Sequence, residues 1–416
     1  LSYALRLLRR SPSFTVAAVL SLALGIGANT SIFTIVDALQ FKKLSVEDPE
    51  RLAMLRFETG RRSQYNIPYE SFERLASGMA PLADAAATFL VERYNVVVDG
   101  AEDRTHPAEV RIGLVSGNYF GLLGVHALRG RAFTPEENRL GDPREVAVIS
   151  HGYWKHRFGL SPDVIGRTLK VQNTTYNIVG VTPPEFRGDW IGRPADMWVP
   201  FAVAPRIMAE IPVAASKFPT RILARLKPGV SLQQAQAATD VVYERFLKEQ
   251  TAANAVSEAN TQRLVLEQAS TGYSPQRRTF EQPIRILLVV AGLVLLVVCT
   301  NLATMLLARS AARQREMSVR AALGAQPRRI LRQLLTESLV LAAMGGMTGV
   351  LYALWGTAAL TRALASGPAG VRSDIVSQSF MSVRLDPQFD GRILAVSLAV
   401  TLVCGLLFGL VPALYA

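Results

Sequence analysis

Histidines, cysteines and paired carboxylates are the residues whose chemistry could support catalysis or metal binding, and this sequence has few of them. It contains four histidines and two cysteines in 416 residues. His151 and His156 are five positions apart, whereas two zinc ligands on one helix face are four apart. Glu136 and Glu137 are adjacent, so their side chains point apart, and their place after Thr134-Pro135 is typical of a helix start. We therefore predict no catalytic residues, no metal site and no cofactor.

Nucleotide chemistry by a P-loop is also excluded. The phosphate cradle of that motif needs a Gly-Lys dipeptide, and none occurs in the sequence. The Gly-x-Ser-x-Gly elbow of a nucleophilic serine is absent as well. The chain is therefore predicted not to be an enzyme, and a membrane-bound enzyme is the least favoured of the alternatives.

Positive charge is concentrated in one stretch between two apolar runs. Seven arginines lie there: Arg309, Arg313, Arg315, Arg320, Arg328, Arg329 and Arg332. A helix is predicted from Arg313 to Leu323, with Gly324 ending it. A helix that ends in a sharp turn can transmit force, so this elbow, residues 309–333, is expected to contact a protein. A basic loop that only binds anionic lipid is the alternative.

Four stretches lack charged residues and exceed the roughly 20 residues that a helix needs to cross a bilayer. They are Ser11–Val36, Ile286–Ala308, Ser338–Thr361 and Ile393–Ala416. Positive residues in short flanking loops stay on the cytoplasmic side. The N-terminus, which carries Arg6, Arg9 and Arg10, and the elbow are therefore predicted inside, and the long segment 37–285 outside. Most of the net charge of +12 lies at this inner face, so no nucleic-acid partner is expected.

These patterns predict a membrane protein with four transmembrane α-helices and a large α+β extracytoplasmic domain inserted between helices 1 and 2. The predicted organisation is an amphipathic cytoplasmic-face helix at 1–12, TM1 at 13–38, the outer domain at 42–282, TM2 at 284–308, the elbow at 309–333, TM3 at 335–361, a short outer loop at 362–392 and TM4 at 393–414. Cys299 and Cys404 both fall in predicted spans. The outer domain therefore has no disulfide and depends on its own core.

Small residues in the predicted spans indicate close helix contacts. Gly25 lies near the middle of the first span, and Gly345 and Gly349 are four residues apart in the third. Gly405 and Gly409 repeat this spacing in the fourth. Small residues, including glycines at this spacing, let helix backbones approach closely in lipid, so all five are predicted to be helix-packing residues. For Gly25 the alternative is a flexible point without a packing partner.

Local signals in the outer domain alternate between strands and helices. Val146–Ile149 is predicted to be a buried strand, followed by Ser150 as N-cap of a helix that ends at Gly159. Thr168–Val171 and Thr175–Val181 are predicted to form a hairpin. Three further elements are predicted: a strand at Arg221–Leu226, a helix at Leu232–Lys248 and a strand at Arg263–Glu267. This mixture is typical of an α+β domain.

Several motifs around the elbow occur in a recognisable order. They are Cys299-Thr-Asn-Leu302, Leu306-Leu-Ala-Arg309, Arg313-Gln-Arg-Glu316, Arg320-Ala-Ala-Leu-Gly-Ala325 and Arg332-Gln-Leu-Leu-Thr-Glu-Ser338. Together they resemble the FtsX-like permease domain of MacB-type ABC transporters. The outer domain is similar to the periplasmic core domain of that family. The motifs that carry this second resemblance include Val115-Ser-Gly-Asn-Tyr-Phe120, Gly130-Arg-Ala-Phe-Thr-Pro135 and Ile178-Val-Gly-Val-Thr-Pro-Pro184.

One variety of the family carries two permease halves in one chain. The opening Leu5-Arg-Leu-Leu-Arg-Arg-Ser-Pro-Ser-Phe14 resembles that variety. The sequence starts at Leu1 instead of Met and stops at Ala416 without the basic stretch that follows the fourth span in the family. We therefore expect a first permease half that is truncated at both ends.

The resemblance implies that a separate cytoplasmic ABC ATPase closes on nucleotide and moves the spans and the periplasmic domain, for export or mechanotransmission. The ATPase-coupling residues that it implies are Arg313, Arg315, Glu316, Arg320, Leu323 and Gly324. A dimer or two-half pseudo-dimer in a bacterial inner membrane is expected, with the lipid bilayer and a periplasmic adaptor as further partners. The alternative is a regulatory or sensor protein that controls an envelope partner such as a cell-wall hydrolase.

Overall fold

The chain divides into two compact units. The computed structural model describes residues 12–36, 43–59, 62–98, 108–209, 214–252, 262–312, 336, 338–355 and 395–403. Leu1–Lys42 and Pro275–Ala416 form one unit, here called the helical unit. Lys43–Ser274 forms the other, here called the sheet unit.

The described residues contain nine α-helices and twelve strands. The helices are α1 (Pro12–Val36), α2 (Tyr69–Met79), α3 (Tyr119–Leu123), α4 (His151–Phe158), α5 (Ala204–Ile207), α6 (Leu232–Ala252), α7 (Pro275–Ala312), α8 (Ser338–Trp355) and α9 (residues 395–403). The strands are β1 (Leu52–Thr59), β2 (Arg62–Gln64), β3 (Ile67–Pro68), β4 (Ala83–Val98), β5 (Ala108–Val115), β6 (Arg129–Gly130), β7 (Val146–Ile149), β8 (Thr168–Val171), β9 (Thr174–Val181), β10 (Met197–Pro200), β11 (Pro219–Leu226) and β12 (Gln262–Gln268).

Three helices in the described part of the chain are long and apolar enough to cross a membrane. These segments are Pro12–Thr34, Arg285–Met305 and Ser338–Trp355. Each segment coincides with one of the uncharged runs of the sequence. A helix of this kind has no polar face and is stable only where water is absent. Of the predicted fourth span at 393–414, the structure describes residues 395–403, and these are helical.

The sheet unit is built on one mixed sheet. Its strand order is β12-β1-β11-β4-β5-β10-β7-β9-β6, with β2, β3 and β8 pairing at the side of this path. β10 with β5 and β7 with β9 are parallel pairs, and the other pairs are antiparallel. The longest strand, β4, pairs with β11 through Ala83–Thr88 and with β8 through Val96–Val98. A register shift between Val91 and Tyr94 separates these two parts.

Alternation along the strands gives this sheet two buried faces. Ile222 and Ala224 of β11 belong to one core, whereas Leu223 between them belongs to the other. Residues of α2 and α6 complete the first core, including Leu75 and Tyr243. Residues of α3 complete the second, including Phe120. The unit therefore combines a sheet with helices on both sides, which is the predicted α+β class.

Several local predictions are confirmed. The Ser150 hydroxyl accepts a hydrogen bond of 3.0 Å from the Tyr153 amide, as an N-cap does, and α4 ends at Gly159 with φ 55°. β8 and β9 form the predicted hairpin. The predicted strand before Ser150 and the elements at 221–226, 232–248 and 263–267 are also present.

The helix that contains the second candidate span starts earlier than its hydropathy indicates. α7 begins at Pro275 and runs through Pro283 to Ala312, whereas the sequence predicts TM2 at 284–308. Hydropathy marks only the part of a helix that lies in hydrocarbon, and proline suits the first turn. The polar residues 275–282, which the sequence places in the outer domain, therefore belong to this helix, and the sheet unit ends at Ser274.

Candidate functional site

The residues predicted to couple to an ATPase lie outside the part of the chain that the structure describes. These residues are Arg313, Arg315, Glu316, Arg320, Leu323 and Gly324. The predicted helix-packing residues Gly405 and Gly409 also lie outside the described part. The described part of α7 reaches Ala312, directly before the first predicted coupling residue. The described functional features are therefore the contacts among the helices and the polar groups inside the sheet unit.

The first helix packs on α7 through a small residue and an amide. A β-carbon on Gly25 would lie 3.1 Å from Val298 Cγ2, so α7 touches the α1 backbone at this point. One turn later, Asn29 Nδ2 donates to the Ala291 carbonyl oxygen at 3.1 Å and to the Gly25 carbonyl oxygen at 3.0 Å. The amide is thus satisfied by both helices and fixes their register.

The same helix packs on α8 through the predicted glycines. A β-carbon on Gly345 would clash with the Leu22 side chain. A β-carbon on Gly349 would lie 3.1 Å from the Ala23 carbonyl oxygen and 3.1 Å from the Gly27 amide nitrogen. Two helix backbones approach this closely only when both contact residues are small. The structure therefore places Gly25, Gly345 and Gly349 in contacts within one chain.

Two hydroxyl contacts bring α9 into the same group of helices. Thr30 Oγ1 and Ser397 Oγ are 3.0 Å apart and buried. A β-carbon on Gly346 of α8 would lie 2.7 Å from Thr401 Oγ1. Because α1 contacts α7, α8 and α9, it is the central helix of the described helical unit.

Two of the side chains considered for catalysis, His151 and Glu137, have structural partners in the sheet unit. His151 packs edge-on against Trp154, with ring centroids 5.6 Å apart, and His156 is exposed. Glu137 closes a capping box with Thr134 and forms an ion pair with Arg131. The Arg131 guanidinium lowers the pKa of Glu137 from its ordinary value of 4.5. The pair of Glu137 and Arg131 stabilises a short helix start. Separately, the described residues include no cluster of three or more His, Cys, Asp or Glu that could hold a metal ion.

One polar cluster has no counterpart in the motifs of the sequence. Arg221 in β11 is 2% exposed, and its Nη2 lies 3.5 Å from Oδ2 of Asp189, whose side chain is 7% exposed. The feature of the sequence that could have indicated this cluster is the alternation of side-chain direction along β11. It puts Arg221 on the same side as the buried Leu223. An arginine on that side needs a partner, because burying a lone charge is costly.

Two families match successive parts of the chain. The MacB-like periplasmic core domain matches residues 15–241, which is more than half of the sequence. The FtsX-like permease C-terminal domain matches residues 288–416. The two matches follow each other in the same order as the sheet unit and the later helices.

Curated relatives are similar over part of their own length. The macrolide export ATP-binding/permease protein MacB of Burkholderia thailandensis is 26% identical over 246 residues, which are 58% of this chain and 34% of that protein. The pyoverdine export ATP-binding/permease protein PvdT of Pseudomonas syringae pv. tomato is 27% identical over 269 residues, which are 64% of this chain and 36% of that protein. The chain thus spans about a third of the length of these relatives.

A crystal structure of the periplasmic region of MacB from Actinobacillus actinomycetemcomitans is 12% identical, covers 56% of this chain and 92% of that one, and has a TM-score of 0.39. Between them, the two family matches include most of the sheet unit and the apolar helices. This chain belongs to the family of MacB/FtsX-type ABC transporter permeases that carry a periplasmic core domain.

Proposed function

We propose that the chain is the permease part of an ABC exporter in which a separate cytoplasmic ATPase moves the helical unit and, through it, the sheet unit. The observation that supports this most strongly is the continuity of α7. The described part of this helix is 38 residues long; it begins directly after the sheet unit ends and reaches Ala312, next to the first predicted coupling residue. At about 1.5 Å per residue it is roughly 57 Å long, against about 30 Å for the hydrocarbon of a bilayer. One helix therefore joins the sheet unit to the predicted ATPase contact.

Nucleotide hydrolysis is proposed to take place on an ATPase that lies outside residues 1–416. The names of both relatives combine ATP binding with a permease, and both name export as the activity. This sequence has no Gly-Lys dipeptide and hence no P-loop of its own. The arginine-rich elbow, with Glu316 among its arginines, is the surface proposed to receive the ATPase.

The proposed topology has four membrane-spanning helices. The N-terminus and the elbow lie in the cytoplasm, because their arginines favour that side, and the sheet unit lies in the periplasm. A dimer or a two-half pseudo-dimer, which the family resemblance implies, is proposed as the working assembly. The close contacts of α1 with α7, α8 and α9 support a bundle that moves as one body within each half.

Co-purification tests the proposed function. The protein is purified from native membranes in mild detergent, with and without ATP, and the proteins that accompany it are identified. We expect a stoichiometric ATP-binding subunit with the unaltered chain. Its loss with Glu316→Arg would locate the contact on the elbow, because the substitution reverses one charge among the elbow arginines.

Two further variants sharpen the result. Gly324→Pro alters the predicted turn at the end of the predicted coupling helix, and we expect it to retain ATPase binding but lose ATP-dependent activity. Glu281→Arg makes the same charge reversal near the opposite end of α7 and serves as the matched control, with binding retained. Recovery of an envelope protein without any ATPase would favour the regulatory alternative, and full activity of both elbow variants would contradict the coupling assignment.

A further inference from the structure

Arg221 is enclosed by two aromatic rings in the interior of the sheet unit. Its guanidinium carbon lies 4.3 Å from the centre of the Trp190 ring and 4.2 Å from the centre of the Tyr273 ring. These two rings meet edge to face, with centroids 4.9 Å apart. Among the described residues, Arg221 Nε is buried without a hydrogen-bond partner. The ring faces therefore supply much of the electrostatic stabilisation of this cation.

The carboxylate that faces Arg221 is held from two other elements. Asp189 Oδ1 accepts hydrogen bonds from the Thr88 hydroxyl at 3.1 Å and from the Tyr119 hydroxyl at 2.9 Å. Thr88 lies in β4 and Tyr119 begins α3. Burial raises the pKa of Tyr119 well above its ordinary value, so this hydroxyl remains a donor. The carboxylate position is thus fixed by the sheet and by the helix that covers it.

The backbone around this cluster binds the segment through which the chain leaves the sheet unit. The Tyr273 amide donates to the Asp189 carbonyl oxygen at 2.7 Å, and the Ile191 amide donates to the Tyr273 carbonyl oxygen at 2.9 Å. Gly272 has φ 73°, and a β-carbon there would lie 2.7 Å from the Asp189 carbonyl oxygen. Residues 270–274 therefore lie directly on the loop that carries Asp189.

The segment through which the chain enters the unit joins the same place. The Leu44 amide donates to the Ser270 carbonyl oxygen at 2.9 Å, and Leu44 also borders Gly272. Ser274 is the last residue of the unit, and α7 starts at the next position. The ion pair, the two rings and both chain ends thus form one local structure.

We propose that Arg221, Asp189, Trp190 and Tyr273 form a latch that fixes the exit segment 270–274 to β4 and β11. With the latch in place, a displacement of α7 moves these strands. Without the latch, the exit segment would deform instead and the strands would not follow α7. This deepens the proposed function and rests on it for the source of the movement. An apolar core would stabilise the unit as well as a buried ion pair does, whereas the ion pair and rings specify one position of the exit segment.

Hydrogen exchange of the full chain in detergent tests the latch without any ATPase. Arg221→Met removes the cation and leaves a side chain of similar length. We expect peptides that contain Leu44, Ile191 and Tyr273 to exchange at least tenfold faster, while β7 and β9 keep their rates. Tyr273→Leu removes one ring but leaves the ion pair, and it provides the same test if Arg221→Met does not fold.

The control is Ile178→Ala, which truncates a buried side chain of β9 in the core on the other face. It destabilises the whole unit and should accelerate exchange without preference for the exit segment. If Arg221→Met and Tyr273→Leu give this same unselective pattern, the four residues are ordinary core residues and the latch is refuted.

A second arm adds the co-purifying ATPase and compares ATP with ADP. In the unaltered protein we expect ATP to change the exchange of β4 and β11. With Arg221→Met, we expect hydrolysis to continue while this change is lost. An undiminished change would overturn the role of the latch in transmission. Absence of any ATP effect in the unaltered protein would refute the proposed function, and the first arm would still decide whether the latch exists.

Discussion

At the scale of single residues, Glu137 shows how one side chain serves two partners. Its carboxylate accepts from the Thr134 amide at 2.9 Å and from both terminal nitrogens of Arg131. Thr134 and Glu137 are three positions apart at a helix start, which is why the sequence predicts their pairing. Arg131 lies just outside the box, directly after β6, and no rule of local spacing predicts that its side chain returns to Glu137.

This pair predicts a pH-dependent contribution to stability. We expect Glu137→Gln to lower the free energy of unfolding by about 0.5–1 kcal/mol near neutral pH, because the Arg131 side chain is half exposed and solvent weakens the pair. The folded-state pKa lies below the ordinary 4.5, so the stabilisation is present above pH 4.5 and is lost as the pH falls through the lowered value. Tryptophan fluorescence during denaturant unfolding measures it at several pH values.

An Arg131→Met background is the control for that measurement. In this background Glu137→Gln should cost less, because the charged partner is already absent. A penalty of the same size in both backgrounds, or one that persists at acidic pH, would show that the carboxylate charge is not the cause.

Residue-scale features differ in how far the sequence predicts them. Ser150 and Gly159 are recognised because caps depend on neighbours within one turn. Arg221 is not, because its partners Asp189 and Tyr273 are distant in the sequence and meet it only through the sheet. An arginine in an alternating strand ordinarily faces solvent, and here both faces of the strand are covered.

At the scale of elements, α1 is the helix whose contacts organise the helical unit. Its glycines, amide and hydroxyls meet different neighbours: Gly25 and Asn29 meet α7, Gly27 meets α8, and Thr30 meets α9. The small residues predicted for close packing in α1 and α8 therefore have partners in the same chain. This arrangement predicts that added volume at one contact is felt by the whole unit.

A matched pair of glycines tests this packing. A β-carbon on Gly345 would meet Leu22, whereas one on Gly292 of α7 would meet no neighbouring element within 4 Å among the described residues. We expect Gly345→Val to lower stability by roughly 1–3 kcal/mol through overpacking, and Gly292→Val to change it little. In a Cys404→Ser background, the temperature at which a thiol-reactive dye labels the half-buried Cys299 in detergent reports unfolding of this unit.

Equal shifts for the two variants would contradict the packing argument, because both make the same change of residue in an apolar helix. A larger effect at Gly292 would place a partner on that face of α7 instead. Gly346→Val offers a further check, since its contact is with Thr401 of α9.

Elements with strong local signals are predicted, and the long strand at the centre of the sheet is not. The hairpin of β8 and β9 is bounded by turn residues and is recognised from its pattern. β4 begins with Ala83, Ala85, Ala86 and Ala87, and alanine favours helix over strand. These positions form a strand because both faces of β4 are packed closely, which leaves room for methyl groups only.

At the scale of the whole molecule, the arginine distribution predicts the orientation in the membrane. In a variant without its native cysteines, Asn173→Cys places a thiol at the exposed tip of the β8–β9 hairpin. Ser318→Cys places one in the elbow. We expect a membrane-impermeant maleimide to label the first from outside the inner membrane and the second only after the membrane is opened. The opposite pattern would reverse the proposed topology.

The amide of Leu44 donates to the carbonyl of Ser270, so the sheet unit starts and finishes at neighbouring positions. A folded module with adjacent ends can be inserted into a host loop at a single site, and it can be removed by closing the same gap. Residues 43–274 therefore have the form of a transplantable cassette. Because both ends of this cassette lie together, we expect that it can be exchanged between related permeases without altering the apolar helices.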